Sequence, residues 1–584
     1  MDSAQSDITR RQQAWQWLPV VLIILADALV RFRSLSTGNM LLFGSDGPYY
    51  PMQVRSLLEN HRLAFPDMPL LFMVQAGIAQ CLFWLHAGSF TECILMSIRF
   101  CNSVLPPLAA IPVFLIAKEL NRPGKSISVP VYILLGFSVF NLGAIAVFNS
   151  SLQKNEFALV FAFAYLLFIT RLIKQRQASS FYSGLCMLAL CALTHFGTFS
   201  IMLMLTGFIA SFWLSSNRKA LTPTVKKGLW AFAALLPPLF AAIAFFDFER
   251  FMRLLRLPAK LFEAPVLLFL LSDIESGLQP LNLLNLIPIH LLCITAFIFL
   301  LRSARTGNFG PGSKMLPLAW AMLAATLLMA SPVLGLEWSN RMFIMSYVPL
   351  TLLYLLLLNA YTRTSQRIFP VTVFAGSVAL SVLHTVSMPD KASMAEVAFN
   401  EMEQIPAKAG LRLGPDDMII GLQDVRMLGN WLYKTKSVAD YMLRPADFSK
   451  YRNVYVLNRQ KGSVLTGNRF RPIQVPAGSD TVFKGEYFTM FRLNGSQGWK
   501  FGKGKPSRTL RGRIVEINNE SGFVLEYNNA ASHRTVLHGP GTTVSLLNNA
   551  GSLKKGMLVE VPCTWRIFSL AVDADIIREV KSFE

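Results

Sequence analysis

Long apolar segments, concentrated before about residue 388, are the feature that most limits how this chain can fold. Hydrophobic residues make up 53% of the 584 residues, charged residues only 15%, and the mean hydropathy is +0.42. A soluble protein of this length would carry markedly more charge. Within a bilayer, the backbone groups of such segments are satisfied in helices. The sequence therefore predicts a polytopic helical membrane domain followed by a water-soluble tail.

The apolar segments are long enough to be counted as membrane spans, since a helix needs roughly 20 apolar residues to cross a bilayer. We predict about eleven spans. Their ranges are 15–33, 93–117, 129–148, 157–171, 181–195, 197–214, 229–247, 281–301, 315–335, 342–361 and 369–387. A further apolar stretch, 68–87, decides the topology, because every later span inverts if it crosses.

Basic residues indicate that 68–87 lies flat at the outer surface. With that arrangement the short basic loops all fall on the inner side, as the positive-inside rule requires. Their residues are Arg10, Arg11, Lys118, Arg122, Lys125, Arg171, Lys174, Arg176, Arg218, Lys219, Lys226, Lys227, Arg302, Arg305, Lys314, Arg363 and Arg367. We therefore predict a multi-pass inner (plasma) membrane protein with a cytoplasmic N-terminus and an extracytoplasmic (periplasmic) tail. Ala26-Asp27-Ala28 resembles a signal-peptide cleavage site, but Trp15 to Phe32 can span unaided as a signal-anchor.

The formal charge of +21 could suggest a nucleic-acid partner. Much of that charge lies in short loops between apolar runs, where it sets topology and contacts anionic headgroups. No basic-aromatic module is present, so the expected partners are membrane lipids and not nucleic acid. Cys563 is the only cysteine of the tail, which excludes a disulfide framework within it, and no metal-type cysteine spacing occurs.

The tail divides into two predicted domains after a transmembrane domain at 1–387. Residues 388–500 are expected to form a small extracytoplasmic α/β domain, with strands at 418–422, 453–458 and 487–493 and a helix around Val425–Lys434. A Gly/Lys-rich linker, 498–506, precedes a β-rich domain at 501–584. Its short strands alternate with Gly/Asn turns, a pattern typical of a small barrel.

Two polar segments near the predicted outer face could carry chemistry. The first, GSDGPYYPMQ at 44–53, reads as a loop with the single carboxylate Asp46. Asp-Gly-Pro is also typical of turns, and taken alone Asp46 is better explained by an Asx-turn or a helix cap. The second, SSLQKNEF at 150–157, places Lys154 and Glu156 at the same membrane level. It also fits a solvated interhelical loop with a helix start. Two polar loops converging at one face would form a charged site within a bundle.

Further basic side chains are predicted near the same face. Arg341 begins an apolar helix and could bind a phosphate or snorkel to the interface. Arg253 and Arg256 recur with Arg250 in FERFMRLLRLPAKLFEAP (248–265), a stripe typical of an amphipathic helix in the headgroup layer. His195 ends a predicted span, where it could contact a phosphate or pack through a hydrogen bond.

The order of these motifs resembles that of a known family. Asp46-Gly-Pro-Tyr49-Tyr50, with Arg55 nearby, is similar to the first outer loop of GT-C membrane glycosyltransferases, in particular the catalytic subunits of oligosaccharyltransferases. The resemblance continues through IPVFLIAKELNRPG (111–124) and reaches SSLQKNE, which stands in place of an Asp-Asn-Glu or Asp-x-Asp element. It covers residue 15 to about 200, weakens to 387 and is absent in the tail.

The resemblance implies an inverting transferase that moves a sugar or oligosaccharide from a polyprenyl-phosphate-linked donor to a glycan, lipid or protein acceptor on the outer side. The resemblance carries a catalytic role to Asp46, as general base, and to Glu156. Lys154 is a third predicted catalytic residue, which could neutralise a phosphate as a point charge. The predicted donor and phosphate contacts are Arg341, Arg253, Arg256, Tyr49, Tyr50, Arg55 and His195.

The sequence departs from the family pattern at two points. Lys154 stands where the first acid of the second motif would be, and a charged lysine cannot ligate a metal. We therefore expect metal-independent catalysis; if a divalent metal binds, Asp46 and Glu156 would hold it. The chain also contains no Trp-Trp pair, which argues against glycosylation of protein sequons.

Two other functions stay open from the sequence. A lipid-glycan transporter or flippase could use the same basic interfacial residues, although few charges lie inside the spans and no duplicated half is visible. A polysaccharide polymerase or ligase would share the donor chemistry, but it lacks this first-loop arrangement around Asp46.

Overall fold

A computed structural model describes a large part of the chain, which divides into two compact units. One unit comprises Met1–Phe246 and Arg250–Ala392, and the other Asp247–Glu249 and Ser393–Glu584. The described residues are 14–36, 41, 47–65, 67–121, 126–141, 152–216, 234, 237–238, 241, 279–306, 315–331, 342–361, 363–387, 392–438, 443, 445–460, 473–495, 508–517, 522–527, 532–537, 543–545, 553–565, 571–574 and 576–580. The amphipathic stretch predicted at 248–265 lies outside them, as does most of the span predicted at 229–247.

Helices make up the described part of the first unit, as the apolar segments predict. In chain order they are α1 (Leu18–Ser36), α2 (Tyr49–Asn60), α3 (Leu70–Trp84), α4 (Phe90–Val104), α5 (Ala110–Leu120), α6 (Val129–Phe140), α7 (Gln153–Gln175), α8 (Ala178–Thr194), α9 (Phe196–Ser216), α10 (Gln279–Thr306), α11 (Leu316–Met329), α12 (Tyr347–Ala360) and α13 (Ser365–Ser387). A 3₁₀ turn, Pro106–Ala109, joins α4 to α5.

Among the described residues, 6 helices are long and apolar enough to cross a membrane. They are Phe90–Leu120, Gln153–Gln175, Phe196–Ser216, Ile287–Thr306, Met342–Ala360 and Ser365–Leu383. Their length and composition indicate a membrane protein. The count of about eleven spans and the orientation of the chain remain predictions.

Helix α3 is the apolar stretch on which the predicted topology depends. It has 15 residues, and described residues flank it at both ends. At 1.5 Å per residue it extends about 22 Å, which is less than the roughly 30 Å of a hydrocarbon core. Helix α8, which the sequence predicts as a span, has only 17 residues, so length alone does not decide whether α3 crosses. Its predicted position at the outer surface is not tested.

Helix α12 forms the centre of the first unit. Every residue from Tyr347 to Leu358 is buried, as expected for a helix that is apolar on all sides. The Tyr354 hydroxyl donates a hydrogen bond to the Leu292 carbonyl of α10 at 2.8 Å. The Tyr354 ring also packs edge-on against Phe374 of α13. These contacts satisfy a polar group inside an otherwise apolar core.

The segments predicted as loops at 44–53 and 150–157 are partly helical, which corrects the sequence interpretation. Helix α2 begins at Tyr49, directly after Pro48, whose restricted φ favours a helix start. Helix α7 begins at Gln153, so Lys154 and Glu156 lie in its first turn. An acidic residue is favourable there because it faces the positive end of the helix dipole.

The second unit contains two sheets, and the first has 5 strands in the order β2-β1-β3-β5-β4. The elements are α14 (Ala392–Ala409), β1 (Asp417–Ile420), α15 (Gln423–Tyr433), β2 (Lys436–Val438), α16 (Pro445–Lys450), β3 (Asn453–Arg459), β4 (Asp480–Lys484) and β5 (Phe488–Arg492). Strand β1 pairs in parallel with β2 and β3, while β5 is antiparallel to β3 and β4. The strands and the helix predicted within 388–500 are all present.

A single carboxylate ties α14 to the turn between β4 and β5. Glu401 accepts hydrogen bonds from the backbone N–H groups of Glu486, Tyr487 and Phe488, at 2.8, 2.9 and 2.8 Å. Gly485 precedes this turn, and a Cβ there would collide with the Glu401 carboxylate. The glycine is therefore needed for the close approach of the carboxylate to the backbone.

The second sheet has 7 strands in the order β11-β8-β7-β6-β10-β12-β9. They are β6 (Arg508–Ile517), β7 (Gly522–Tyr527), β8 (Ser532–Leu537), β9 (Thr543–Ser545), β10 (Leu558–Trp565), β11 (Ala571–Ala574) and β12 (Ile576–Glu579). Strand β11 pairs with β8 in parallel and also with β10, so the pairings run in a closed circuit through β6, β7, β8, β11 and β10. A small barrel requires such a circuit.

Candidate active site

Helices α2, α3 and α7 bring the two sequence motifs into contact. The Lys154 backbone N–H donates to the Tyr50 hydroxyl at 3.3 Å, across 104 residues of chain. The Lys154 ammonium lies 5.5 Å from the ring centres of Tyr49 and Phe72, and its side chain is only 10% exposed. Aromatic faces attract a cation, so these rings favour the charged side chain at this buried position.

The carboxylate beside Lys154 is Asp67, which the sequence analysis did not select. The ammonium forms an ion pair with Asp67 Oδ2, and the Tyr49 hydroxyl donates to the same oxygen. The Met68 N–H donates to Oδ1 at 2.8 Å. Donors directed at both oxygens stabilise the ionised carboxylate and weaken it as a proton acceptor. Asp67 is therefore suited to holding Lys154 and poorly suited to act as a general base.

Gln53 of α2 fixes the segment that carries Asp67. Its amide nitrogen donates to the Tyr49 hydroxyl at 3.0 Å and to the Phe65 carbonyl at 2.9 Å. Its amide oxygen accepts from the Phe65 N–H at 3.0 Å. Both ends of a fully buried amide are thus satisfied, which gives it one orientation. A sequence signal for Asp67 exists in FPDMP (65–69), a charged residue between two prolines at the start of an apolar stretch.

Glu156, two residues after Lys154, faces a different partner. Its Oε1 accepts a hydrogen bond from Arg31 of α1 at 2.8 Å, and Arg31 Nε also lies 3.0 Å from Asp27 Oδ1. The side chains of Glu156, Arg31 and Asp27 are all 3% exposed or less. The interaction links α7 to α1. The catalytic role predicted for Glu156 remains a prediction.

The Asp27–Arg31–Glu156 cluster contains two carboxylates for one guanidinium. Among the described residues, Asp27 Oδ2 and Glu156 Oε2 are buried without a hydrogen-bond partner. A buried charge without a counter-charge is strongly unfavourable. Neutralising one of the two acids should therefore be tolerated, whereas removing the guanidinium should not.

The Arg31 guanidinium disfavours a divalent metal at Glu156 Oε1. That oxygen already faces the guanidinium at 2.8 Å, so a metal there would lie against a fixed positive charge. Within the described ranges, no group of three or more His, Cys, Asp or Glu side chains could hold a metal ion.

Arg55 of α2 is a buried cation in the same region of the sequence and is 7% exposed. Burial lowers the pKa of its guanidinium, while the Glu59 carboxylate one turn further raises it. Arginine remains protonated at physiological pH even so. Arg55 is thus a fixed positive charge within helix α2. Its predicted contact with the donor is not tested.

His195 caps the start of α9. Its Nδ1 accepts a hydrogen bond from the Thr198 backbone N–H at 3.0 Å, so this nitrogen carries no proton. A Cβ at Gly197 would lie 2.7 Å from His195 Cε1, which explains the glycine beside the folded ring. The structure therefore gives His195 a capping role. Its predicted phosphate contact remains a prediction.

Four predicted site residues, Asp46, Arg341, Arg253 and Arg256, lie outside the described residues. Of the others, the structure brings together Tyr49, Tyr50 and Lys154. It places Glu156 in the separate cluster with Arg31.

Neither a protein-family model nor a curated protein matches this chain. Solved structures similar to it include ArnT from Cupriavidus metallidurans bound to undecaprenyl phosphate, with 11% identity, coverage of 81% of this chain and 97% of that chain, and a TM-score of 0.46. The archaeal oligosaccharyltransferase AglB from Archaeoglobus fulgidus, in complex with an inhibitory peptide and a dolichol-phosphate, has 12% identity, coverage of 75% and 69%, and a TM-score of 0.45. ArnT from Cupriavidus metallidurans in the apo state has 11% identity, coverage of 82% of this chain and 98% of that chain, and a TM-score of 0.37. An oligosaccharyltransferase is thus among the similar structures, as the sequence resemblance predicts. With TM-scores below 0.5, these likenesses transfer no ligand or residue role to this chain.

The charge count in the Asp27–Arg31–Glu156 cluster predicts unequal effects of substitution. Arg31→Met should destabilise the full-length protein by about 3–5 kcal/mol, because it leaves two buried carboxylates without a counter-charge. Glu156→Gln should change stability by less than about 1 kcal/mol, since Gln still accepts from Arg31 and Asp27 still balances its charge. Thermal unfolding in detergent measures both. Equal losses for the two variants would contradict this account of the cluster.

Proposed function

We propose that this chain is a membrane glycosyltransferase. It moves a sugar or oligosaccharide, with inversion, from a polyprenyl-phosphate-linked donor to an acceptor at the outer side of the membrane. The observation that carries the proposal is the buried Lys154 ammonium, which pairs with Asp67 and lies beside the ring of Tyr49, three residues after Asp46 in the chain. The family resemblance of the same two segments supplies the reaction class.

Asp46 is the proposed general base. Chain connectivity limits the distance between the Cα atoms of residues 46 and 49 to about 11 Å. Chain connectivity therefore allows the Asp46 carboxylate to approach the region around Tyr49 and Lys154. There it would accept the proton of the acceptor group as that group attacks the anomeric carbon, which requires hydrogen-bond reach of about 3 Å.

Lys154 and Arg341 are the proposed partners of the leaving group. As the new glycosidic bond forms, the bond between the anomeric carbon and the phosphate oxygen breaks, and its electron pair stays on that oxygen. A positive charge fixed at this position stabilises the developing negative charge. Lysine acts there as a point charge, and Asp67 and Tyr49 hold it in place.

The remaining predicted contacts form a second part of the proposal. Tyr49, Tyr50, Arg55, His195, Arg253 and Arg256 are proposed to surround the phosphate and the attached sugar. We assign Glu156 an indirect role, since its contact with Arg31 positions the helix that carries Lys154. Catalysis is proposed to be metal-independent, because Lys154 replaces the first acid of the family's second motif and a charged lysine cannot ligate a metal.

The proposal also includes the finer architecture. It comprises about eleven spans, a cytoplasmic N-terminus and an extracytoplasmic tail. The tail would contain the α/β domain at 388–500 and a barrel at 501–584, for which the circuit of paired strands is the support. A barrel supports many functions, so it does not identify the acceptor.

Asp46→Asn tests the function directly. Loss of the general base should lower turnover at least about 100-fold without lowering the thermal stability of the protein. The full-length chain is reconstituted into proteoliposomes together with lipid-linked sugars and acceptors extracted from the native membrane. Turnover is then measured as the release of polyprenyl phosphate. In cells without the native gene, this variant should leave the donor lipid accumulated on the outer leaflet. Normal turnover by the variant contradicts the assignment of Asp46, and accumulation on the inner leaflet would indicate a flippase.

Asp67→Asn tests the support of Lys154. The amide can accept hydrogen bonds but carries no charge, so turnover should fall about tenfold or more. Combining it with Lys154→Gln should reduce turnover little beyond Lys154→Gln alone, because both act through one ammonium. Glu92→Gln is the matched control, since Gln preserves the capping box at the start of α4. If the loss of turnover in the double variant equals the product of the losses in the two single variants, Asp67 acts separately from Lys154.

The proposed independence from divalent metal is tested with a chelator. Turnover in the same proteoliposomes is expected to be unchanged by excess EDTA, because Lys154 stands where the family pattern has a metal-binding acid and a charged lysine cannot ligate a metal. The comparison needs protein purified without added divalent ions. Activity that disappears with the chelator and returns with Mn²⁺ would show that a metal site forms despite Lys154.

A further inference from the structure

A polar cavity of about 430 Å³ lies at the end of α7 farthest from Lys154. Its volume is within the usual range of ligand sites, about 300–1,000 Å³. Helix α7 extends about 33 Å from Gln153 to Gln175, so the cavity and the candidate active site are separated by about the thickness of a hydrocarbon core. Side chains of α5, α7 and α8 line the cavity, among them Glu119, Arg171, Gln175, Gln177, Ser180 and Ser183.

The side chains at this cavity carry more positive than negative charge. Glu119 is the acid, and it lies 3.4 Å from both Arg171 Nε and Lys174 Nζ. It also accepts a hydrogen bond from the Gln175 amide at 2.7 Å. The Glu119 side chain is only 12% exposed, whereas those of Arg171 and Lys174 are 33% and 42% exposed. Two cations for one carboxylate, with the cations more exposed, favour an anionic ligand.

Two lining groups have hydrogen-bonding capacity that the protein does not use. Among the described residues, none accepts a hydrogen bond from the Arg171 guanidinium, which lies over the Phe168 ring with its centre 5.7 Å away. The Ser180 hydroxyl makes no hydrogen bond to a described residue, although Ser180 is only 5% exposed. Ser180 lines the cavity, where a ligand or solvent can satisfy this hydroxyl.

The start of α8 adds backbone donors on the same side. Gln177 precedes the helix and provides no side-chain cap. The Ser180 N–H donates to the Gln177 carbonyl at 3.2 Å, which leaves the N–H groups of Ala178 and Ser179 at the helix start. These groups and the helix dipole favour an anion. Planar guanidinium, serine hydroxyls and helix N–H groups together are the donors that bind a phosphate.

Aromatic residues indicate the depth at which the cavity opens. Tyr182, one turn into α8, is 60% exposed and lies beside Phe181. Exposed tyrosines of membrane helices concentrate at the level of the lipid headgroups. A phosphate at that depth is present in every phospholipid, and a net positive site prefers lipids with net negative charge.

We propose that this cavity is a phosphate-binding site for the headgroup of an anionic phospholipid. The Arg171 guanidinium and the start of α8 hold the phosphate, and Glu119 keeps Arg171 in position while opposing the anion. The site does not depend on the transferase activity.

Lipid binding to the purified full-length protein tests the site. Native mass spectrometry with phosphatidylglycerol and phosphatidylcholine of equal chain length should show a preference for phosphatidylglycerol. Arg171→Gln should weaken phosphatidylglycerol binding about fivefold, the effect expected of one basic residue at a membrane surface. Glu119→Gln should strengthen it, because an opposing negative charge is removed.

Arg176→Gln is the matched control. Arg176 lies at the same end of α7 but does not line the cavity, so its substitution should change binding less than twofold. An equal loss in both arginine variants would reduce the effect to general surface attraction and overturn the site. Equal binding of the two lipids would overturn it as well. If inorganic phosphate binds the protein without lipid and Arg171→Gln abolishes that binding, the cavity is a phosphate site. Its ligand is then free phosphate and not a lipid headgroup.

Discussion

The buried ion pair between Lys154 and Asp67 is the interaction on which the candidate site depends. An ammonium in a bundle of apolar helices is strongly unfavourable unless a counter-charge and hydrogen bonds accompany it. Asp67 supplies the charge, and the rings of Tyr49 and Phe72 surround the cation. Because each partner comes from a different helix or from the segment before α3, the pair also fixes how α2, α3 and α7 pack. The ion pair of Lys154 with Asp67 therefore also contributes to the packing of these helices.

The first turn of α7 has two separate partners. Lys154 faces Asp67 and the tyrosines of α2, while Glu156 faces Arg31 of α1. Residues two apart on a helix point in different directions, so the two charges of SSLQKNE do not meet in one site. Lys154 therefore joins α7 to α2 and to the segment before α3, while Glu156 joins it to α1. Lys154 takes no part in balancing the charge of Glu156.

Charged side chains with ion-pair partners lie at both ends of α7. Its start carries Lys154, and its end borders the cavity lined by Arg171 and Glu119. Between them the buried face is mostly apolar, as the hydrocarbon core requires. In the second unit, the half-buried Glu401 carboxylate serves the fold, since it accepts hydrogen bonds from the backbone N–H groups of a turn.

The sequence by itself determined that the chain is helical and apolar before about residue 388 and strand-rich after it. Those properties follow from hydrophobic runs and short-range periodicity, which are local. It also marked Tyr49, Tyr50 and Lys154 as neighbours, through the resemblance of two motifs. Only the tertiary structure decided that Asp67 is the partner of Lys154, 87 residues away, and that Arg31 is the partner of Glu156, 125 residues away. No local pattern specifies such pairs, because a charge buried between helices chooses its partner by the way the helices pack.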